Sequence, residues 1–139
     1  AGSGVAHSEF NPSPDQPVRF LQIWLLPNAR GTQPRYDTLD IAPAEKDGKL
    51  KLFLSPQGRD GSMAIRANAD IHAATLTGNQ VIDFALPDRH KAWIQVAKGS
   101  LTVNGQELRR GDGLAVEKGG ALRFEKGEDA EIILFDFLH

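Results

Sequence analysis

His7 and Glu9 are the residues of this chain whose types and spacing could do chemistry together. In an extended segment, side chains two apart point to the same face. An imidazole and a carboxylate on one face can chelate a divalent cation, and that donor mix suits iron, manganese, nickel or zinc. Two ligands leave a transition metal short of the three or four protein ligands it usually takes. A His-x-Glu triplet also arises by chance, and spacing alone favours reading this one as part of a frayed terminus. His72, in the run Ala69 to Leu76, and His90, in the charged turn Asp88-Arg89-His90-Lys91, are expected at the surface or a sheet edge. His139 is the last residue and is expected to be mobile. Ser55, Ser62 and Ser100 are present without a Gly-x-Ser-x-Gly elbow, and no phosphate-loop or dinucleotide fingerprint occurs. No catalytic residue is assigned within this chain. Trp24 and Trp93 sit in apolar runs and read as core residues.

The bulk properties narrow the partners. A chain of 139 residues fits one domain with one core. The net charge is −2 with no run of five like charges, which argues against a nucleic-acid surface, where clustered Lys and Arg must displace counterions. There is no cysteine, so disulfides, Cys-ligated zinc and iron–sulfur clusters are excluded. Apolar stretches such as Ile132 to Phe135 are too short to cross a bilayer. A cytoplasmic protein with no membrane partner is expected.

The elements that must position these residues are strands. Phe10 to Pro17 carries three of the eight prolines and reads as a linker, because proline lacks an N–H and biases its predecessor toward extended geometry. Val18 to Leu26 is rich in β-branched and aromatic residues and is predicted as a strand, and Arg35 to Ile41 as a weaker one. Further strands are expected at Leu50–Leu54, Met63–Ile65, Ala69–Leu76, Val81–Leu86, Trp93–Ala97, Leu101–Val103, Gln106–Leu108, Leu114–Val116, Leu122–Phe124 and Ala130–Leu138. Asn104-Gly105 between two extended runs predicts a hairpin, because both central residues of a type I′ turn need positive φ. No window carries a sustained helical apolar period. Short strands with Gly-rich turns imply an all-β, antiparallel sandwich or barrel.

Several of these stretches resemble a known family. Lys98-Gly99-Ser100-Leu101-Thr102-Val103-Asn104-Gly105, followed by Arg110-Gly111-Asp112-Gly113-Leu114-Ala115-Val116, resembles the second half of a cupin, a jelly-roll barrel or double-stranded β-helix. Ala1 to Asn11 is similar to the end of the metal-binding cupin of pirin-like bicupins, which include quercetin 2,3-dioxygenases of the pirin type. Gln22 to Pro27, Pro34-Arg35-Tyr36, Ser55-Pro56, Arg59-Asp60-Gly61-Ser62 and Trp93 to Val96 are similar to that family's C-terminal cupin. The resemblance covers nearly the whole chain.

The resemblance implies that residues 1–17 are the terminal strand of an N-terminal cupin plus a linker, and that 18–139 form the C-terminal cupin. In such proteins the N-terminal cupin holds one metal with three histidines and a glutamate, and His7 and Glu9 match the last two. They would be a half-site, complete only with the N-terminal cupin of the same parent chain. Iron is the expected metal, with nickel, manganese, zinc and copper as alternatives, and none is expected in this chain by itself. The metal slots of the C-terminal barrel fall near Leu86 and Asp88, at Ala92 and at Leu122, so an apolar, filled interior is expected. Asp70, His72 and Arg89 are candidates to line a small polar pocket. A metal-dependent dioxygenase with a flavonoid-like ligand is one implied parent. A non-catalytic docking or regulatory module of a metal- or redox-sensing protein, and a small-ligand-binding cupin, are the alternatives.

Overall fold

The computed structural model describes residues 2–138; Ala1 and His139 lie outside the described residues. One short helix, α1 (Pro43–Lys46), precedes eight strands: β1 (Lys51–Ser55), β2 (Met63–Ala64), β3 (Ala69–Leu76), β4 (Ile82–Leu86), β5 (Lys91–Val103), β6 (Gln106–Arg109), β7 (Gly113–Val116) and β8 (Gly120–Phe137). A 3-10 turn at Arg59–Gly61 joins β1 to β2. All strand pairs are antiparallel except β1 with β2, which run parallel at the rim.

The two long strands are each used twice. The N-terminal half of β5 pairs with β7 and with the C-terminal half of β8, which continues through β3 to β1 and β2. The C-terminal half of β5 pairs with β6 and with the N-terminal half of β8, which carries β4 on its other side. The result is two layers folded over one interior, the expected jelly roll. Ala74, Ile94, Val96, Ile132 and Leu134 come from one layer, and Ile82, Leu101, Val103, Leu122 and Phe124 from the other; all are buried in one cluster. Each of these Ile, Val, Leu and Phe side chains contributes about 1.5–3 kcal/mol by leaving water, and Ala74 less.

Sequence reading divides each long strand in two, at Lys98-Gly99 and between Phe124 and Ala130. The structure keeps them continuous and bends them. The β5–β8 register slips between Val96 and Thr102, where Gly99 sits at φ +66°, and a Cβ at Gly99 would collide with the carbonyl oxygens of Glu128 and Asp129. Lys126 and Asp129 take positive φ opposite it. These are bulges, which bend and twist a strand without ending it. The Asn104-Gly105 turn has φ of 48° and 84°, as the hairpin expectation requires.

Two expected strands are not formed. Residues 18–26 and 35–41 carry no ladder pairing. Residues 18–26 lie instead as an extended strap across the outer face of the first layer, where Leu25 packs against the cluster of Ala69, Ile71 and Phe135. The same β-rich composition suits a segment that covers a sheet as well as one that joins it. Trp24 is therefore not core: it is 87% exposed, and Trp93 on the outer face of β5 is 39% exposed. Among the described residues no helix is long and apolar enough to cross a membrane.

Candidate functional site

The first arm of the chain brings His7 and Glu9 together. His7 Nε2 lies 3.4 Å from Glu9 Oε1, and both side chains are about half exposed. The donors are of the right kind for one cation and supply two ligands. Among the described residues no third His, Asp or Glu completes a group around them. The pair thus fits part of a metal site.

Inside the barrel, the slots that the resemblance assigns to metal ligands hold Leu86, Ala92 and Leu122, all buried in the apolar interior. Asp88 is exposed. Beside Ala92, however, the interior turns polar. Alternation along β3 puts Asp70 and His72 on the interior face with Ala74 and Leu76. Alternation along β8 puts Asp136 there with Leu134 and Ile132. Asp70 is opposite Asp136 in the β3–β8 ladder, and Ala92 is opposite Asp136 in the β5–β8 ladder.

Two carboxylates buried side by side need hydrogen-bond partners, and the fold supplies one to each. Arg59 donates from Nη1 to Asp70 Oδ1 at 2.6 Å and from Nη2 to Asp70 Oδ2 at 2.5 Å, a bidentate fork. His90 Nδ1 donates to Asp136 Oδ1 at 2.8 Å. The Arg59 loop is itself fixed from beneath. Ser55 Oγ accepts from Arg59 N at 3.1 Å and lies 2.7 Å from Ser62 Oγ, which donates to Arg59 O at 2.6 Å. Both serines are buried. This explains, in chemical terms, the Ser55-Pro56 and Arg59-Asp60-Gly61-Ser62 residues that carry the family resemblance.

The cluster perturbs its members. Burial raises the Asp136 carboxyl above its ordinary value, against the His90 hydrogen bond and charge, and the Asp70 charge adds to the rise. The Asp70 hydrogen bond raises Arg59 further. Burial lowers His72, with the Asp70 charge opposing and the Arg59 charge assisting. His72 packs edge-on to Phe84 at 5.5 Å, and its Nδ1 is buried without a hydrogen-bond partner. The arrangement can hold protons and fix charge at one mouth of the barrel.

The histidine expectations need correction. His72 is 9% exposed and faces the interior, and His90 is three-quarters buried and bonded to Asp136. The cation beside Asp70 is Arg59; Arg89 occupies a positive-φ turn position, φ 73°, and is exposed. The Asp70-x-His72 spacing, identical to that of His7-x-Glu9, was a readable signal that these two share a face. The Asp136–His90 and Arg59–Asp70 pairings left no local signal.

Residues 52–137 match the model of the quercetinase C-terminal cupin domain. Over 136 residues the chain is 35% identical to quercetin 2,3-dioxygenase of Escherichia coli (strain K12), covering 98% of this chain and 58% of that protein. It is 36% identical over 137 residues to a putative quercetin 2,3-dioxygenase of Pseudomonas aeruginosa, covering 98% and 59%. Among solved structures, YhhW from Escherichia coli superposes with a TM-score of 0.76 at 30% identity, covering 83% of this chain and 48% of that one. A second structure, described as bacterial pirin YhhW in complex with nickel(II), gives 0.72 at 32%, covering 80% and 47%. The chain spans less than two thirds of the length of these relatives.

Proposed function

Starting from the fact that the chain belongs to the quercetinase C-terminal cupin family, we propose that residues 18–139 are the second cupin, without a metal of its own, of a two-cupin metal-dependent oxygenase of the quercetin 2,3-dioxygenase type. Residues 1–17 are the closing strand and linker of the first cupin. The observation that carries this reading is a contrast. Leu86, Ala92 and Leu122 fill three of the ligand slots of this barrel with side chains that offer no lone pair to a cation, and Asp88, at the remaining slot, is exposed to solvent. The imidazole–carboxylate pair His7–Glu9 stands outside the barrel.

In the two-cupin protein, His7 and Glu9 would hold part of the metal, which when bound supplies an open coordination position for substrate or oxygen. That a homologous pirin structure contains nickel(II) supports metal use; iron is the physiological choice in this proposal. The rest of this chain acts by support. The Arg59–Asp70 and His90–Asp136 pairs lock one barrel mouth, and the strap over the outer face of the first layer gives the arm a fixed base. A flavonoid-like substrate and a cytoplasmic location belong to the same reading.

Nickel(II) titration by calorimetry tests it. The chain alone should bind weakly, micromolar or poorer, and His7→Ala should abolish that binding. Tight binding that survives His7→Ala and is lost in His72→Phe would place a metal inside this barrel and sink the reading. In a two-cupin protein carrying this domain, iron-loaded enzyme should consume oxygen with a flavonol, and His7→Ala should stop it.

A further inference from the structure

Where the strap crosses the outer face of the first layer, it leaves a cleft of about 710 Å³ between itself and the sheet. Its walls are largely apolar: Phe20 on the strap and Phe53, Ala73 and Ile133 on the strands line it. Its charges are unbalanced. Lys98 lines the cleft but is paired with Asp129 at 2.7 Å, and Glu131 lines it but is paired with Lys46. Arg19 on the strap and Arg110 in the turn between β6 and β7 both line it. Among the described residues neither guanidinium has a carboxylate partner.

We infer that this cleft is a binding site for a small amphipathic organic anion, an aromatic carboxylate or sulfonate whose rings lie between Phe20 and Ile133 and whose anionic end is held by Arg19 and Arg110. The volume lies in the range of small-molecule sites, roughly 300–1,000 Å³. Such sites combine apolar walls with a few polar groups that fix orientation, and guanidinium forks match carboxylate geometry. A neutral apolar ligand would leave both arginines without an anion, and an inorganic anion would leave the aromatic walls unused. The site lies on the opposite side of the first layer from the barrel interior and is separate from the His7–Glu9 pair, so it stands or falls apart from the proposed oxygenase role.

A matched pair of probes tests it on this chain: 2-naphthoate and its neutral counterpart 2-naphthalenemethanol, titrated by calorimetry and followed by protein-observed NMR. Naphthoate should bind one per chain with submillimolar affinity, and the alcohol about tenfold more weakly, a difference of ~1.4 kcal/mol. Arg19→Gln and Arg110→Gln should each cost naphthoate several-fold and leave the alcohol unchanged, while Lys118→Gln, on exposed surface outside the cleft, should change neither. Added salt should weaken naphthoate alone. Equal affinity for the two probes, indifference to both arginine substitutions, or no saturable binding of naphthoate in the millimolar range would each overturn the assignment.

Discussion

Arg59→Met isolates what the buried acid pair requires. Asp70 has a side chain only 6% exposed, next to Asp136 in register, and Arg59 is its bidentate partner. Methionine keeps most of the stem and removes the charge, leaving a buried carboxylate with no cation. Breaking a fully buried pair costs about 3–5 kcal/mol. Arg59 is 47% exposed, so water already shields part of the interaction, and the discounted figure is about 2–3 kcal/mol. For a domain of this size that corresponds to a Tm fall of roughly 6–12 °C. The double variant Arg59→Met/Asp70→Asn carries no uncompensated charge and should recover part of the loss, so the two substitutions should not add. Thermal melts of the four proteins, followed by circular dichroism at neutral pH, read this directly. The reasoning fails if Arg59→Met melts within about 2 °C of the parent, or if the double variant is as unstable as the sum of the singles.

Two further substitutions probe other features. Gly99→Ala puts a Cβ against the Glu128 and Asp129 carbonyls at a positive φ and should cost at least about 3 kcal/mol; a melt unchanged from the parent would mean that the bend in β5 is not locked there. His72 has its folded-state pKa lowered by burial, so the unfolded chain takes the proton first. The stability it contributes is present above the ordinary imidazole value of about 6.5 and is lost as pH falls below it toward the folded value. His72→Phe should therefore gain on the parent as pH drops from 7.5 to 5, and parallel Tm–pH curves for the two proteins would contradict the placement of His72.

What was legible in the sequence was local. Ala69 to Leu76 forms β3 with the expected bounds, and Asn104-Gly105 turns where its φ requirement says. The strap misled because propensity reports fitness for an extended, half-covered surface, and Val18 to Leu26 meets that description while crossing a sheet. Gly99 misled because glycine marks both a turn and a bulge, and only the partner strand decides which. The polar cluster stayed hidden because His90 and Asp136 are 46 residues apart. Arg59 could be matched to Asp70 only once the loop held by Ser55 and Ser62 was known. The histidines were placed outside because nothing in their own neighbourhoods names the carboxylate that lets His90 go inward, or the aromatic ring that His72 leans on.

Sharing β5 and β8 between both layers has a consequence for how the molecule comes apart. Neither layer owns a complete set of strands, so removing one strips the other of two members along half their length. Partial opening of a single layer should be scarce, and amide protons from Ile94 in one layer and Leu101 in the other should exchange through the same global event. The same threading joins residues far apart along the chain, such as Lys91 with Phe137, so assembly must wait for the last strand and should be slow for a chain of this length.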